Sequence, residues 1–151
     1  MTAQSRTISR LVAALGIAVL GLAPPVSAQE TDAPAPNLSL SLNTVGASEA
    51  GGCRLTFVIR NDLGAEIESL VAEAVLFDAD GRVARLTLFD FGTLPANRPR
   101  VRQFDLSGLS CDGIGEVLVN GIGTCEGDGM TPDACLNGLR LSSEIGIEVT
   151  G

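Results

Sequence analysis

From residue 38 onward the chain alternates between apolar and polar side chains. Leu38, Leu40 and Leu42 are interleaved with Ser39, Ser41 and Asn43, the period-two signature of a half-buried first strand. Cys53, Leu55, Phe57 and Ile59 alternate with Arg54, Thr56, Val58 and Arg60, which predicts a second strand with Cys53 on its buried face. Ile67 to Phe77 is apolar at both parities apart from Glu68, Ser69 and Glu73, as expected of a central strand covered on much of both faces. Asp78-Ala79-Asp80-Gly81 then predicts a tight hairpin in which Gly81 supplies the positive φ, followed by a strand from Arg82 to Phe91.

Thr93 to Pro99, with two prolines and an Asn, reads as a loop, and Arg100 to Leu106 and Ile114 to Ile122 as further strands. Thr131-Pro132-Asp133 offers an N-cap, a proline for the first helical position and an acid for the first turn. A short helix to about Asn137, stopped by Gly138, follows from that. In the last segment Leu139, Leu141, Ile145, Ile147 and Val149 share one face against Arg140, Ser142, Glu144, Glu148 and Thr150, and read as one closing strand.

About seven short strands with turns every 8 to 14 residues predict an all-β fold, an immunoglobulin-like antiparallel β-sandwich with one short helix before the last strand. Its core has to be built from Leu, Val, Ile and five Phe, without the buried Trp of antibody domains. In such a sandwich the second and sixth strands run the same way in facing sheets, so their starting ends lie close together. Cys53 opens the second strand and Cys111 sits just before the sixth, so these two are expected to pair. Cys125, at the end of the sixth strand, is left for Cys135 on the helix. Spacings of 58, 14 and 10 with no C-x-x-C and no His argue against zinc and against thiol redox chemistry.

The first residues follow another plan. Arg6 and Arg10 precede the apolar run Leu11 to Ala23, then Pro24-Pro25 and the small-residue pattern Val26-Ser27-Ala28. Residues 1–28 are therefore expected to be a secretory signal peptide cleaved after Ala28. The apolar run is too short for a retained membrane helix and is broken by Gly16 and Gly21, so no stable membrane insertion is expected after cleavage. Arg6 and Arg10 do not form a twin-arginine signal, and no cysteine near the cleavage point invites a lipid anchor. Residues 29–37 are a polar, proline-bearing flexible lead-in, and residues 38–151 a single domain. The expected location is periplasmic or secreted.

Composition narrows the chemistry. All ten Lys+Arg residues are Arg, and His, Trp and Tyr are missing. Without His there is no Ser-His-Asp or Cys-His system and no His-ligated metal; without Lys there is no P-loop lysine and no Schiff base. Removing residues 1–28 takes away Arg6 and Arg10 and no acid, so the mature charge is 8 minus 18, or −10. Such a chain repels phosphate backbones and anionic lipid, which excludes nucleic acid as an expected partner.

The stretch from Arg54 to Leu106 has a strand ending in Arg60-Asn61, a Gly64 turn, Leu76-Phe77-Asp78-Ala79-Asp80-Gly81-Arg82-Val83, Leu94-Pro95-Ala96-Asn97-Arg98 and a strand ending in Phe104-Asp105-Leu106. In this it resembles the FxLYD-type immunoglobulin/fibronectin-like domains of exported bacterial proteins. The namesake motif falls on Ala74-Val75-Leu76-Phe77-Asp78, with Ala for the leading Phe and Phe for Tyr. The whole chain is also similar to small secreted proteins of alphaproteobacteria known only by their export signal. The resemblance implies a sandwich fold and export; it implies no catalytic residue.

Several constellations invite a chemical reading. Arg98, Arg100 and Arg102 share parity, so a regular strand projects them from one face as a docking point for an anionic partner, or as a solvated face balanced by acids. Glu126, Asp128 and Asp133 lie between or beside the last two cysteines and offer a weak alternative, a calcium loop. Asp78 and Asp80 read as hairpin-turn residues, since Arg82 and Arg85 stand where further calcium ligands belong. Asp90-Phe91-Gly92 matches a kinase tripeptide without the rest of a kinase, and Ser110 lacks a general base. No catalytic residue and no cofactor is expected. The expected function is that of an exported, non-enzymatic module acting through contact with an envelope protein. The alternatives are a small-ligand or calcium-binding periplasmic protein and a hydrolase using a pair of carboxylates.

Overall fold

A computed structural model describes residues 35–151; the expected signal peptide and residues 29–34 of the lead-in lie outside the described residues. The elements follow in the order β1 (Leu38–Ala47), β2 (Gly52–Asn61), β3 (Ile67–Phe77), β4 (Val83–Leu94), β5 (Pro99–Ser107), β6 (Glu116–Glu126), α1 (Pro132–Gly138), β7 (Leu139–Ser143) and β8 (Glu148–Thr150). They form two four-stranded sheets, ordered β5-β2-β1-β7 and β4-β3-β6-β8. The all-β sandwich and the single short helix are as the pattern predicts.

Two expectations need correction. The sandwich is not wholly antiparallel: β7 runs parallel to β1, with Leu38 opposite Leu139, and β8 runs parallel to β6, with Val117 opposite Val149. The connection after β6 is the cause. Residues 127–138, with α1 among them, carry the chain from the end of β6 in the second sheet to the start of β1 in the first, where β7 begins beside Leu38 and so runs with β1; after β7 the chain turns and enters the second sheet beside the start of β6, so β8 runs with β6. The closing segment is also two strands rather than one. The Ser143 hydroxyl bonds both the carbonyl and the N–H of Ile145, and the Glu144 N–H donates to the Leu42 carbonyl at 2.9 Å, so the ladder on β1 ends there. The chain then leaves the first sheet and joins the second at Glu148. Leu139, Leu141, Ile145, Ile147 and Val149 nevertheless all pack on the core, and so the alternation runs on through the break.

The interior is apolar. Leu38, Leu40 and Leu42 of β1, and Cys53, Leu55, Phe57 and Ile59 of β2, face Ala72, Ala74 and Leu76 of β3, Phe89 and Phe91 of β4, and Val117 and Val119 of β6. Phe57, Phe89, Phe91 and Phe104 form a cluster with every pair of ring centroids between 4.6 and 6.4 Å. These rings span the two sheets, and tilted or edge-on aromatic pairs at such distances add about 0.5–1.5 kcal/mol each beyond their burial. Ala72 lies in register beside Phe89, a small residue next to a large one.

The disulfides are Cys53–Cys111 and Cys125–Cys135, with Cα atoms 4.8 and 6.5 Å apart. The first ties the start of β2 to a single helical turn ahead of β6, and the second ties β6 to α1, as the topology argument requires. Bridges of this kind in a small domain contribute about 2–5 kcal/mol each. Among the described residues one polar side chain is fully buried: Asn61, at the end of β2. Its Nδ2 donates to the carbonyls of Ala65 (2.8 Å) and Leu94 (2.9 Å), and its Oδ1 accepts from the Leu63 N–H at 3.1 Å. It thereby pins the β2–β3 connection to the far end of β4.

Candidate functional site

A sandwich of two open sheets has four edge strands, and here they are β5, β7, β4 and β8. An uncovered edge is a template for pairing with another chain, and proteins blunt it by shortness, proline or charge. β8 has 3 residues and β7 has 5. β5 begins with Pro99 and places Arg100 and Arg102 at the parity of Phe104 and Leu106, which is the inward one. β4 is the longest of the four at 12 residues; Arg102 of β5 caps its end at the Phe91 and Thr93 carbonyls, but over Leu86–Phe89 it carries no proline and no charge.

Phe89 and Phe91 decide which face of β4 is buried. Both parities of the strand carry large apolar residues, but the phenylalanines bury more area, and in the interior they complete the aromatic cluster. Leu86 and Leu88 are turned outward as a result and remain 73% and 64% exposed. Their neighbours on β3 are Val75 beside Leu86 and Glu73 beside Leu88; on β6, Leu118 lies beside Val75 and Gly121 beside Glu73. Glu73, Val75, Leu86, Leu88 and Asn120 line an open cavity of about 250 Å³ on this outer face. The carboxylate of Glu73 lies over a floor paved with glycine: a Cβ at Gly121 or Gly123 would stand 3.9 or 3.5 Å from its oxygens.

The charge on the two outer faces differs. On the first sheet, Arg54 and Asp105 stand directly opposite each other and form a two-pronged pair, Nε to Oδ1 at 2.7 Å and Nη2 to Oδ2 at 2.9 Å. That hydrogen bonding holds the Asp105 carboxyl below the ordinary carboxylate range and raises Arg54 above its own usual value. Arg60 pairs with Asp62 at 2.7 Å. On the second sheet, β3 and β6 contain no Arg, and Arg85 of β4 turns away to the Ser107 carbonyl at 2.9 Å. Among the described residues Glu73 and Asp90 have no ion pair.

The sites read from the sequence fall elsewhere. Arg98 lies in the β4–β5 loop, so the three arginines do not project from one strand face. Arg102 is a strap: its Nε donates to the Phe91 carbonyl at 2.7 Å and its Nη2 to the Thr93 carbonyl at 3.1 Å, closing the seam between the edges β5 and β4. Arg100 donates to the carbonyl of Pro99, and none of the three has an acid within ion-pair distance among the described residues. Glu126 ends β6, Asp128 lies in the following turn and Asp133 in the first turn of α1; all three are exposed, and no group of three or more acids able to hold a metal occurs among the described residues. The Asp78 carboxylate accepts the N–H groups of Asp80 and Arg82, both at 2.9 Å, with Gly81 at φ 75°, which is the hairpin turn expected. Phe91 of the kinase-like tripeptide is a core residue and Gly92, at φ 61°, shifts the register with β3. A second open cavity, about 430 Å³, lies beside the first disulfide, lined by Ser110, Cys111 and Asp112 among others. Each of the two cavities has a single carboxylate in its lining, Glu73 in one and Asp112 in the other.

The role of β4 was not legible in the sequence reading. A signal was present: Leu86 and Leu88 oppose two phenylalanines in parity, and only one pair can face the core. No family model matches the chain, and no curated protein or solved structure does either.

Proposed function

We propose that this protein is an exported, non-enzymatic β-sandwich module that works by protein contact in the cell envelope, through the β4 edge and the adjoining outer face of the second sheet. The observation that carries the reading is the pair Leu86 and Leu88, 73% and 64% exposed on the longest edge strand of a chain whose net charge is −8. Two large exposed leucines side by side on an open edge are costly for a protein with no use for them, because such edges recruit other chains. Strand addition gives affinity through main-chain hydrogen bonds and selectivity through alternate side chains. Two disulfides fit an oxidising compartment, and among the described residues no helix is long and apolar enough to cross a membrane. The leader pattern of residues 1–28 supports a periplasmic or secreted location. A two-carboxylate hydrolase draws no support from cavities that each have one acid.

The test is co-purification from the envelope of the native host, wild type against the double variant Leu86→Glu/Leu88→Glu. A defined partner retained by wild type and lost by a variant of unchanged melting temperature supports the reading. Retention of that partner by the variant, or turnover of a glycan or ester substrate panel, contradicts it.

A further inference from the structure

We infer that the occupant of the β4 edge is an extended segment of another protein carrying Lys or Arg between apolar residues, which adds as a fifth strand and places its cation on Glu73. This rests on the protein-contact reading above and names the partner's chemistry.

Charge complementarity carries the argument. Glu73 stands between Leu88 on one side and Gly121 on the other, with no ion pair among the described residues. The two glycines leave its carboxylate open from above, and Leu86, Leu88 and Val75 border it with apolar surface. A carboxylate framed by apolar groups recognises a cation on an apolar stem, and that is the structure of a Lys or Arg side chain. The distances agree. A strand added beside β4 lies about 10 Å from β3, two strand spacings of roughly 4.8 Å, and a long basic side chain laid over Leu88 spans that gap to the Glu73 carboxylate.

Contrast with the first sheet strengthens the case, since its outer face neutralises itself through Arg54–Asp105 and Arg60–Asp62 while the second leaves Glu73 and Asp90 open. A second copy of this chain is a poor occupant. Two copies paired through β4 would bring strongly acidic molecules together, and the one cation of β4, Arg85, has the parity opposite Leu86 and Leu88 and is held on the Ser107 carbonyl, away from the face that carries Glu73.

The probe is a fluorescein-labelled heptapeptide, Thr-Val-Thr-Lys-Thr-Val-Thr, which presents Val, Lys and Val on one face. Anisotropy titration is run on the oxidised protein at low and high salt. Wild type binds it, with affinity falling as salt rises. Glu73→Gln weakens binding about threefold, as expected for one partly exposed ion pair. Leu86→Ser/Leu88→Ser weakens it at least about tenfold, while Asp128→Asn, remote from the face, changes nothing. Equal binding of the Thr-Val-Thr-Glu-Thr-Val-Thr peptide, or equal affinity for Glu73→Gln and wild type, overturns the cation assignment. Sedimentation as a dimer that excludes the peptide overturns it in favour of a second copy, and saturable binding of a small organic ammonium ion with none of the peptide overturns it in favour of a small ligand. The two proposals fail separately: an envelope partner lost with Leu86→Glu/Leu88→Glu but kept with Glu73→Gln removes only the cation, whereas a partner insensitive to the leucines removes both.

Discussion

Replacing Asn61 by Ala tests whether the end of the sandwich is held by one buried amide. The side chain has no exposure and makes three hydrogen bonds to main-chain groups, of Ala65, Leu94 and Leu63. Truncation leaves those three groups without a partner. The Leu94 carbonyl is buried and loses about 1–3 kcal/mol; the Ala65 carbonyl and the Leu63 N–H are partly reached by water and lose about 0.5–1.5 kcal/mol each. A central value is about 4 kcal/mol, a large share of the roughly 5–15 kcal/mol that holds a domain of this size. It corresponds to about 16 °C in Tm, or about 1.3 M in guanidinium midpoint with an unchanged slope. Asn61→Asp goes further at neutral pH, because a carboxylate oxygen then faces two carbonyls that need a donor. The folded state holds the protonated acid more tightly than the unfolded state does, so this variant gains stability as pH falls. A loss below about 1 kcal/mol for Asn61→Ala, or an Asn61→Asp variant indifferent to pH, refutes the keystone role.

Four further outcomes follow from the same contacts. Arg102→Ser loses the seam between β5 and β4 and costs about 1–2 kcal/mol in denaturant unfolding, while Arg98→Ser, in the loop, stays within about 0.5 kcal/mol; equal effects contradict the strap. In an NMR titration the Asp105 carboxyl protonates below the usual carboxylate range, and Arg54→Met moves it upward; its contribution to stability is complete at neutral pH and is lost as pH falls through its folded pKa. Gly52→Ala, at φ 116° and with its new methyl driven into the Leu106 carbonyl, destabilises by at least about 2 kcal/mol. Millimolar calcium leaves Tm unchanged, since Glu126, Asp128 and Asp133 do not converge; a rise of several degrees would restore the calcium loop.

What periodicity encodes, the sequence showed. Cys53, Leu55, Phe57 and Ile59 are buried on β2 as their spacing requires, and the disulfide pairing follows once strand order in a sandwich is granted. Pairing direction is not in the alternation, so the parallel placement of β7 and β8 was hidden, as was the break that Ser143 and Glu144 impose on a stretch apolar on one face throughout. Arg100 and Arg102 were rightly given one parity but the wrong face: Phe104 and Leu106 share that parity and set it inward, and an arginine can follow because its guanidinium reaches carbonyls at the seam. Asn61 carried no signal beyond its place at a strand end. Its importance comes from three main-chain groups, two of them in the adjoining connection and one 33 residues away.

The central claim is that the outward face of β4 is where another protein sits. Site-specific photo-crosslinking in the living host tests it directly, with a benzophenone amino acid in place of Leu86 and, separately, of Asn43 on the exposed side of β1. The account predicts one discrete adduct from position 86 and none from position 43. Adducts from both positions alike, or from position 43 only, would contradict it.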